Sequence, residues 1–454
     1  MTPVPLLPPR RRAVPSSPPG SPQLHRFVSS VGHHVLVPDG SRIYDIDAAV
    51  HDELTHLEGG DATALRRRLV ELGLESRDAI ITGSGPTPPV RYLSLAVAQR
   101  CNLGCTYCYA EGGDFGGDAV SMDVSTGQEA VDRLLADCTP GERIGLAYMG
   151  GEPLANRRVV YELTAYAAQR ARELDVDCTF SITTNGTLIG ANDIDLFDEY
   201  GFAVTVSLDG IGEVHDRLRP MKSGQGSYAR ILKAITPMLA RQQRMQVTAR
   251  STVTPHNLDL RATLDELVSM GFHGVGFAPA LATPTGTDEL GPPDLDNLLH
   301  AMMECSDEFV RRLDAGQRYP FTNLTSALQL VHAGAHRPFP CGAGAAYLGI
   351  DADGAASACH RFVGSDLARM GDVHTGWDHA ARDTWLHDRH VDRQEPCRSC
   401  WARYLCGGGC HQEVLARGRS GCDFIRAWLD HCLRRYVEVS TAHPEWFAHS
   451  VSVG

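Results

Sequence analysis

The stretch Leu93-Ser-Leu-Ala-Val-Ala98-Gln-Arg-Cys101-Asn-Leu-Gly-Cys105-Thr-Tyr-Cys108-Tyr109 passes from a short apolar run straight into three cysteines spaced four and three residues apart. A run of this length bounded by polar residues reads as a buried strand. Three thiolates at the end of a strand can hold a cubane iron–sulfur cluster by three of its irons and leave the fourth iron open. A closed structural zinc site wants four ligands, and no neighbouring cysteine completes one. The loop therefore reads as a reactive iron–sulfur centre, with zinc or incidental thiols as the competing reading.

Further apolar runs follow at 144–149, 180–184, 203–208, 247–253 and 275–278, separated by longer helical stretches. Alternating β and α elements predict a parallel sheet with ligands at the carboxyl ends of its strands. Six strands in about two hundred residues fit a partial barrel, since a full eight-stranded one takes about 250.

The residues that follow these runs suit a polar ligand. Gly150-Gly151-Glu152-Pro153 follows the second, where glycine backbone can approach a ligand closely. Thr184-Asn185-Gly186 follows the third and Ser207-Leu208-Asp209-Gly210 the fourth, offering hydroxyl, amide and carboxylate groups. Asp209 reads equally well as the cap of the next helix. Arg250 lies inside the fifth run, where an unpaired guanidinium is costly; an anionic ligand and a structural salt bridge both answer that cost.

In this order, Cys-x3-Cys-x2-Cys with Tyr107 before its last cysteine, followed by Gly-Gly-Glu-Pro, resembles the radical S-adenosylmethionine (SAM) enzymes. The resemblance implies a partial (β/α)6 barrel over residues 90–282 and a [4Fe–4S] cluster on Cys101, Cys105 and Cys108 whose open iron chelates SAM. It further implies a SAM site of Tyr107, Gly150, Gly151, Glu152, Asn185, Ser207 and Arg250, with Glu152 on the ammonium. His215-Asp216-Arg217 and Gly226-Ser227-Tyr228 look like the segment after the fourth strand in peptide-modifying members, and no catalytic role is assigned there.

Eight of the fourteen cysteines fall between 341 and 432. The pattern Cys341, Cys359, Cys397-x2-Cys400-x5-Cys406-x3-Cys410, Cys422, Cys432 resembles the SPASM domain, here 341–454. That implies an inner auxiliary cluster on Cys341, Cys359 and Cys410 and an outer one on Cys397, Cys400, Cys406 and Cys422, three 4Fe-4S clusters in all. Cys422 is preferred to Cys432, which sits in the helical run 424–436. No cysteine lies between Cys341 and Cys359, which leaves open whether the inner iron binds substrate, takes Cys432 or is satisfied otherwise. Because the region is glycine-rich and poor in apolar runs, metal ligation is expected to replace a hydrophobic core there.

Ahead of the barrel, a Pro-rich tail (1–22), a small β-then-α unit (23–77) and a Gly/Pro linker (78–89) are expected; a helical bridge (283–340) follows it. The unit at 23–77, with a hairpin around Asp39-Gly40, resembles the winged-helix module that binds leader peptides in ribosomal-peptide pathways. A leader would add a strand to its edge. A net charge of −13 without a basic stripe argues against a nucleic-acid binder. The absence of an apolar span or signal core points to a soluble cytoplasmic protein.

These resemblances imply a maturase that takes hydrogen from a ribosomally made precursor peptide and closes an intramolecular cross-link, carbon–carbon (cyclophane) or thioether. Its partners would be that precursor, leader plus core, and a small electron donor such as flavodoxin or ferredoxin. The competing readings are an anaerobic sulfatase-maturing enzyme that makes formylglycine, which needs a carboxylate base, and a zinc-stabilised peptide-binding protein. Were the reaction an epimerisation, Cys432 or Cys305 could return the hydrogen.

Overall fold

The computed structural model describes residues 24–448 apart from 39–40, 59–61, 75–85 and 335. The tail 1–22, the Asp39-Gly40 turn and residues 78–85 of the linker lie outside the described residues.

The N-terminal unit is a three-stranded antiparallel sheet, β1 (His25–Ser29), β2 (Gly32–Val37) and β3 (Arg42–Ile46), followed by α1 (Ala48–Glu58) and α2 (Ala62–Glu71). Besides the hairpin expected around Asp39-Gly40, the pairing Ser29↔Gly32 closes a second, tight one around Ser30 and Val31. Val35, Val37, Leu54, Leu65 and Leu69 are buried together beneath the sheet. The other face rests on the C-terminal region: Phe27 and Leu36 join Trp401, Leu429 and Leu433 in one apolar cluster, and His25 stacks on Trp401 at 3.7 Å.

The six expected strands are all present and parallel: β4 (Tyr92–Ala98), β5 (Arg143–Gly150), β6 (Asp177–Thr184), β7 (Ala203–Ser207), β8 (Gln246–Val253) and β9 (Gly274–Pro279), adjacent in that order. Helices α3 (Val124–Leu135), α4 (Arg157–Glu173), α5 (Ala191–Glu199), α6 (Glu213–Leu218), α7 (Tyr228–Leu239) and α8 (Leu260–Ser269) connect them. Alternate strand residues face opposite sides. Leu93, Leu95, Ile144, Leu146, Phe180, Ile182, Val204, Val206, Val247 and Val275 form one apolar core. The opposite face is small and polar, with Ser94, Ala147 and Ser181 in one register row and Thr183, Thr205, Thr248 and Gly274 in another.

After α9 (Pro292–Asp314), α10 (Thr322–His332) closes the open edge of β9: Asn323 both accepts from the Phe277 N–H and donates to the Phe277 carbonyl, each at 2.8 Å. The cysteine-rich region then brings four strands that the sequence reading does not anticipate: β10 (Tyr347–Ile350), β11 (Ala355–Ser357), β12 (Arg369–Asp372) and β13 (Gly376–Trp377). β10 lies parallel to β4, so these strands extend the barrel sheet to ten. Helices α11 (His379–Arg389), α12 (Arg403–Cys406), α13 (His411–Arg417), α14 (Cys422–Ala442) and α15 (Pro444–Ala448) complete the chain.

The expectation that metal replaces a core in this region is corrected by the packing. Leu348, Ile350, Phe362, Met370, Trp385 and Trp428 are buried in the same cluster as the barrel core. The apolar runs there are too short to register as strands, but each adds a few side chains to a core already built.

Candidate active site

All the motif residues lie at the carboxyl ends of the parallel strands. β4 ends at Ala98, and the cysteine loop is pinned by Gly104 N–H to the Pro220 carbonyl (2.8 Å) and by Lys222 N–H to the Asn102 carbonyl (2.9 Å). Gly150 (φ +130°) and Gly151 let β5 press against this loop: a Cβ would stand 2.3 Å from the Ala98 oxygen at the first and 2.5 Å from the Arg100 oxygen at the second. No other residue fits such an approach.

Cys101, Cys105 and Cys108 are within electrostatic reach of one another. Burial pushes the Cys105 thiol up to about 12 against the pull of Arg219. Cys101 Sγ accepts from the Leu103 N–H at 3.4 Å and from Asn185 Nδ2 at 3.6 Å. Asn185 also donates to Asn102 Oδ1 (2.9 Å), joining the third strand to the cysteine loop.

Glu152 is fully buried and accepts from the Asn185 N–H (2.7 Å), the Leu154 N–H (3.0 Å) and the Thr184 hydroxyl (2.8 Å). Burial raises its carboxyl above the usual range, and those donors together with Arg219 pull it back. Ser207 and Arg250 are register partners on β7 and β8. The Arg250 side chain is open to solvent yet ringed by protein, which lowers its pKa, with Glu413 the one charged group drawing it back. No hydrogen bond or ion pair joins it among the described residues, so of the two sequence readings the salt bridge is not formed. Gly276, its register partner on β9, is required by α10 instead: a Cβ there would stand 2.5 Å from Thr322 Oγ1.

Tyr107 was expected at the ligand, but its hydroxyl is engaged elsewhere. It donates to Asp209 and accepts from Arg219 Nη1 at 2.6 Å. Asp209 is not a helix cap; its carboxylate takes the Thr252 N–H (2.8 Å), Tyr107 and Arg219. Arg219 itself, buried within reach of all three thiols, escaped the sequence reading although it lies two residues past His215-Asp216-Arg217.

His215 in that segment has a structural role. Its Nδ1 accepts the Asp209 N–H at 3.2 Å and its Nε2 meets Ser227 Oγ at 3.1 Å, so the ring is neutral, and burial lowers its pKa from 6.5 to about 3. Between those values the unfolded chain holds the extra proton. Stability therefore falls as pH drops through that window, by about 1.4 kcal/mol per unit from this group. Urea midpoints measured from pH 6.5 to 4.5 should fall less steeply in His215→Gln than in the wild type.

The C-terminal cysteines form two groups. Cys341, Cys359 and Cys410 interact with one another, and burial pushes Cys359 up to about 12. Arg361 donates to Cys410 Sγ (3.4 Å) and Glu413 (2.7 Å) and lies 5.7 Å over the Tyr109 ring, which is within reach of both Cys108 and Cys359. Tyr109 thus spans the gap between the first group and the second. Cys397, Cys400, Cys406 and Cys422 form the third group, around a cavity of about 60 Å³ that Arg419 and Arg426 also line. Cys432 and Cys305 are fully buried in apolar core and belong to none of these groups, so neither can reach a substrate.

Among the described residues no three His, Cys, Asp or Glu side chains converge tightly enough to hold a single metal ion. A mononuclear zinc site would draw its sulfurs onto bonds of about 2.3 Å. What the cysteine groups share is unpaired arginine donors: Arg219 Nε, Arg361 Nε, Arg337 Nε and Arg389 Nη2 are buried without a partner, and each of these arginines interacts with cysteines. A buried donor left unpaired costs about 1–3 kcal/mol. Anionic iron–sulfur clusters seated on the thiolates would supply the missing acceptors, so the residues fit that group.

Residues 95–267 match the radical SAM superfamily. The serine-type anaerobic sulfatase-maturating enzyme of Klebsiella aerogenes is 26% identical over 374 residues, 79% of this chain and 86% of that protein. Among solved structures, anSMEcpe with bound AdoMet superposes with a TM-score of 0.65 at 19% identity, covering 78% of this chain and 100% of that one. Streptococcus suis SuiB bound to its precursor peptide SuiA superposes with a TM-score of 0.52 at 14% identity, covering 87% of this chain and 96% of that one. At such identities the structural likeness shows a shared fold. No helix among the described residues is long and apolar enough to cross a membrane.

Proposed function

Residues 95–267 form a radical SAM domain, and from that premise we propose that the protein is a peptide maturase that closes a cross-link within a ribosomally made precursor. When bound, a reduced cluster and SAM supply a 5′-deoxyadenosyl radical able to abstract hydrogen from an unactivated carbon. In this reading Cys101, Cys105 and Cys108 hold the catalytic cluster, and Glu152 receives the SAM ammonium. Ser207 and Arg250 face its ribose and carboxylate, and Arg219 stands as a fixed cation behind the thiols. Cys341, Cys359 and Cys410 hold the inner auxiliary cluster; Cys397, Cys400, Cys406 and Cys422 hold the outer.

The observation behind this reading is a cleft of about 590 Å³ that runs from Tyr109 and Phe115 on the catalytic loop to Arg361 beside the inner cysteines. Its rim bears Leu367 and Leu415, two of the few large apolar side chains left exposed, at 65% and 42%. Gln412 Oε1, buried without a partner, offers an acceptor to a peptide N–H. Such a cleft suits an extended peptide whose apolar side chains seat on the leucines while a neighbouring carbon reaches the catalytic loop. The edge of β3, unpaired among the described residues, suits the leader as a fourth strand. A small electron donor such as flavodoxin or ferredoxin completes the partners.

The test is anaerobic incubation of the reconstituted enzyme with SAM, a reductant and the short peptides encoded beside its gene. A product lacking two hydrogens, inert to hydrazide reagents and carrying a new intramolecular link supports the proposal; an aldehyde replaces it with formylglycine formation. The second reading is supported by the Klebsiella relative, and Glu413, paired with Arg361, would be its carboxylate. On either reading Leu367→Asp with Leu415→Asp should raise the KM for peptide about tenfold while SAM cleavage without peptide is unchanged. An unaltered KM removes the cleft from the substrate path.

A further inference from the structure

Three of the arginines beside the cysteine groups have a carboxylate of their own: Arg361 pairs with Glu413, Arg426 with Asp423 and Arg219 with Asp209. Arg337 differs. It has no ion pair with a carboxylate among the described residues, and the charged groups within its reach are two thiols, Cys406 of the outer group and Cys341 of the inner.

It is also held firmly in place. Its backbone N–H donates to the Tyr404 carbonyl at 3.0 Å and its Nη2 to the Leu405 carbonyl, while its Nε is buried without a partner. Chain geometry locks the two cysteine groups together around it. Gly407 follows Cys406 in the left-handed region (φ +70°), and a Cβ there would stand 2.4 Å from the Phe339 carbonyl and from Pro340 N. The segment from Arg337 to Cys341 is therefore pressed directly against the outer cysteine loop. Val391 N–H to the Pro338 carbonyl, at 3.1 Å, adds a third fastening.

A buried, uncompensated guanidinium is costly unless anions face it. Here the charges within its reach are cysteines of two groups, Cys406 and Cys341. We propose that Arg337 is a counter-cation shared by the inner and outer auxiliary clusters, a positioning residue that holds both reduction potentials up and close together so that one electron can pass between them. The exchange balances by itself: one cluster is oxidised by one electron, the other is reduced by one, and no proton moves. Net charge and hydrogen bonds to sulfur are among the quantities that set cluster potentials, and a fixed cation favours the reduced, more negative state of each neighbour. It also offsets the repulsion that one reduced cluster exerts on the other. The inference rests on the three-cluster reading of the cysteine groups.

The test uses the full chain, reconstituted anaerobically, with iron content measured beside potentiometric titrations followed by electron paramagnetic resonance. In Arg337→Gln the iron content should match the wild type and the catalytic cluster should titrate unchanged. Both auxiliary clusters should become harder to reduce, by about tenfold in the equilibrium constant, which is about 59 mV for a one-electron couple. Arg337→Lys should restore most of both shifts. Should the glutamine variant lose iron, Arg337→Met, which keeps the length of the stem without the charge, is titrated instead, and the same two potentials decide. Auxiliary potentials that do not move, or only one that moves, overturn the shared role. A wild type holding only about four irons would instead overturn the three-cluster reading and leave the question of Arg337 without an object.

Discussion

Replacing Cys101, Cys105 and Cys108 together by alanine is expected to lower iron from about twelve per chain to about eight and to abolish reductive SAM cleavage, a loss of at least about a thousandfold. The iron falls by a third because the three cysteine groups are separate: the first sits at the end of β4, and the other two are built by segments beyond residue 340. Activity falls completely because the Cys432 and Cys305 thiols are sealed in apolar core and cannot substitute. The protein should still fold. The three side chains are only partly buried, and the loop is held by backbone bonds to Pro220 and Lys222 that alanine keeps. Iron and sulfide assays on the reconstituted variant, with 5′-deoxyadenosine quantified by chromatography, check both halves. Little iron in the wild type, with zinc in its place, would favour the peptide-binding alternative.

How much of this was legible in the sequence depends on how locally each feature is encoded. The six parallel strands read clearly because each is a short apolar run buried by its own neighbours, and the loop motifs read clearly because they follow those runs directly. β10 did not: Tyr347–Ile350 is four residues long and becomes a strand by pairing with β4, some 250 residues earlier in the chain. Arg219 was missed for a similar reason. In the sequence it is one arginine in a polar helix exit, and only the folded chain brings it beside Tyr107, Asp209 and the thiols. The partner of the Tyr107 hydroxyl was equally hidden: Asp209 lies about a hundred residues further along the chain. Glu413 and Arg250 approach each other from α13 and β8, a juxtaposition without any spacing signature.

Glu152→Gln is the sharper test of the SAM site, since it keeps shape and removes charge. Every direct partner of this carboxylate donates: the Asn185 and Leu154 N–H groups and the Thr184 hydroxyl. An amide must turn its own NH2 toward one of them, which loses a charge-assisted hydrogen bond worth about 1.5–3 kcal/mol and sets donor against donor. Any ammonium bound there also loses its counter-charge, a further cost of about 2–5 kcal/mol for a buried pair. Even the lower figure amounts to more than tenfold, so the affinity for SAM is expected to drop about a hundredfold, measured by equilibrium dialysis against the reconstituted protein. Iron content should stay at the wild-type level, because the Glu152 side chain is hydrogen-bonded toward the cysteine loop through Asn185 and its backbone bond to the Arg100 carbonyl (2.9 Å) survives the substitution. Unchanged SAM affinity would mean that this carboxylate serves only to tie the ends of β5 and β6 together, and the ammonium site would have to be sought elsewhere, with Glu413, the carboxylate within reach of Arg250, as the next candidate.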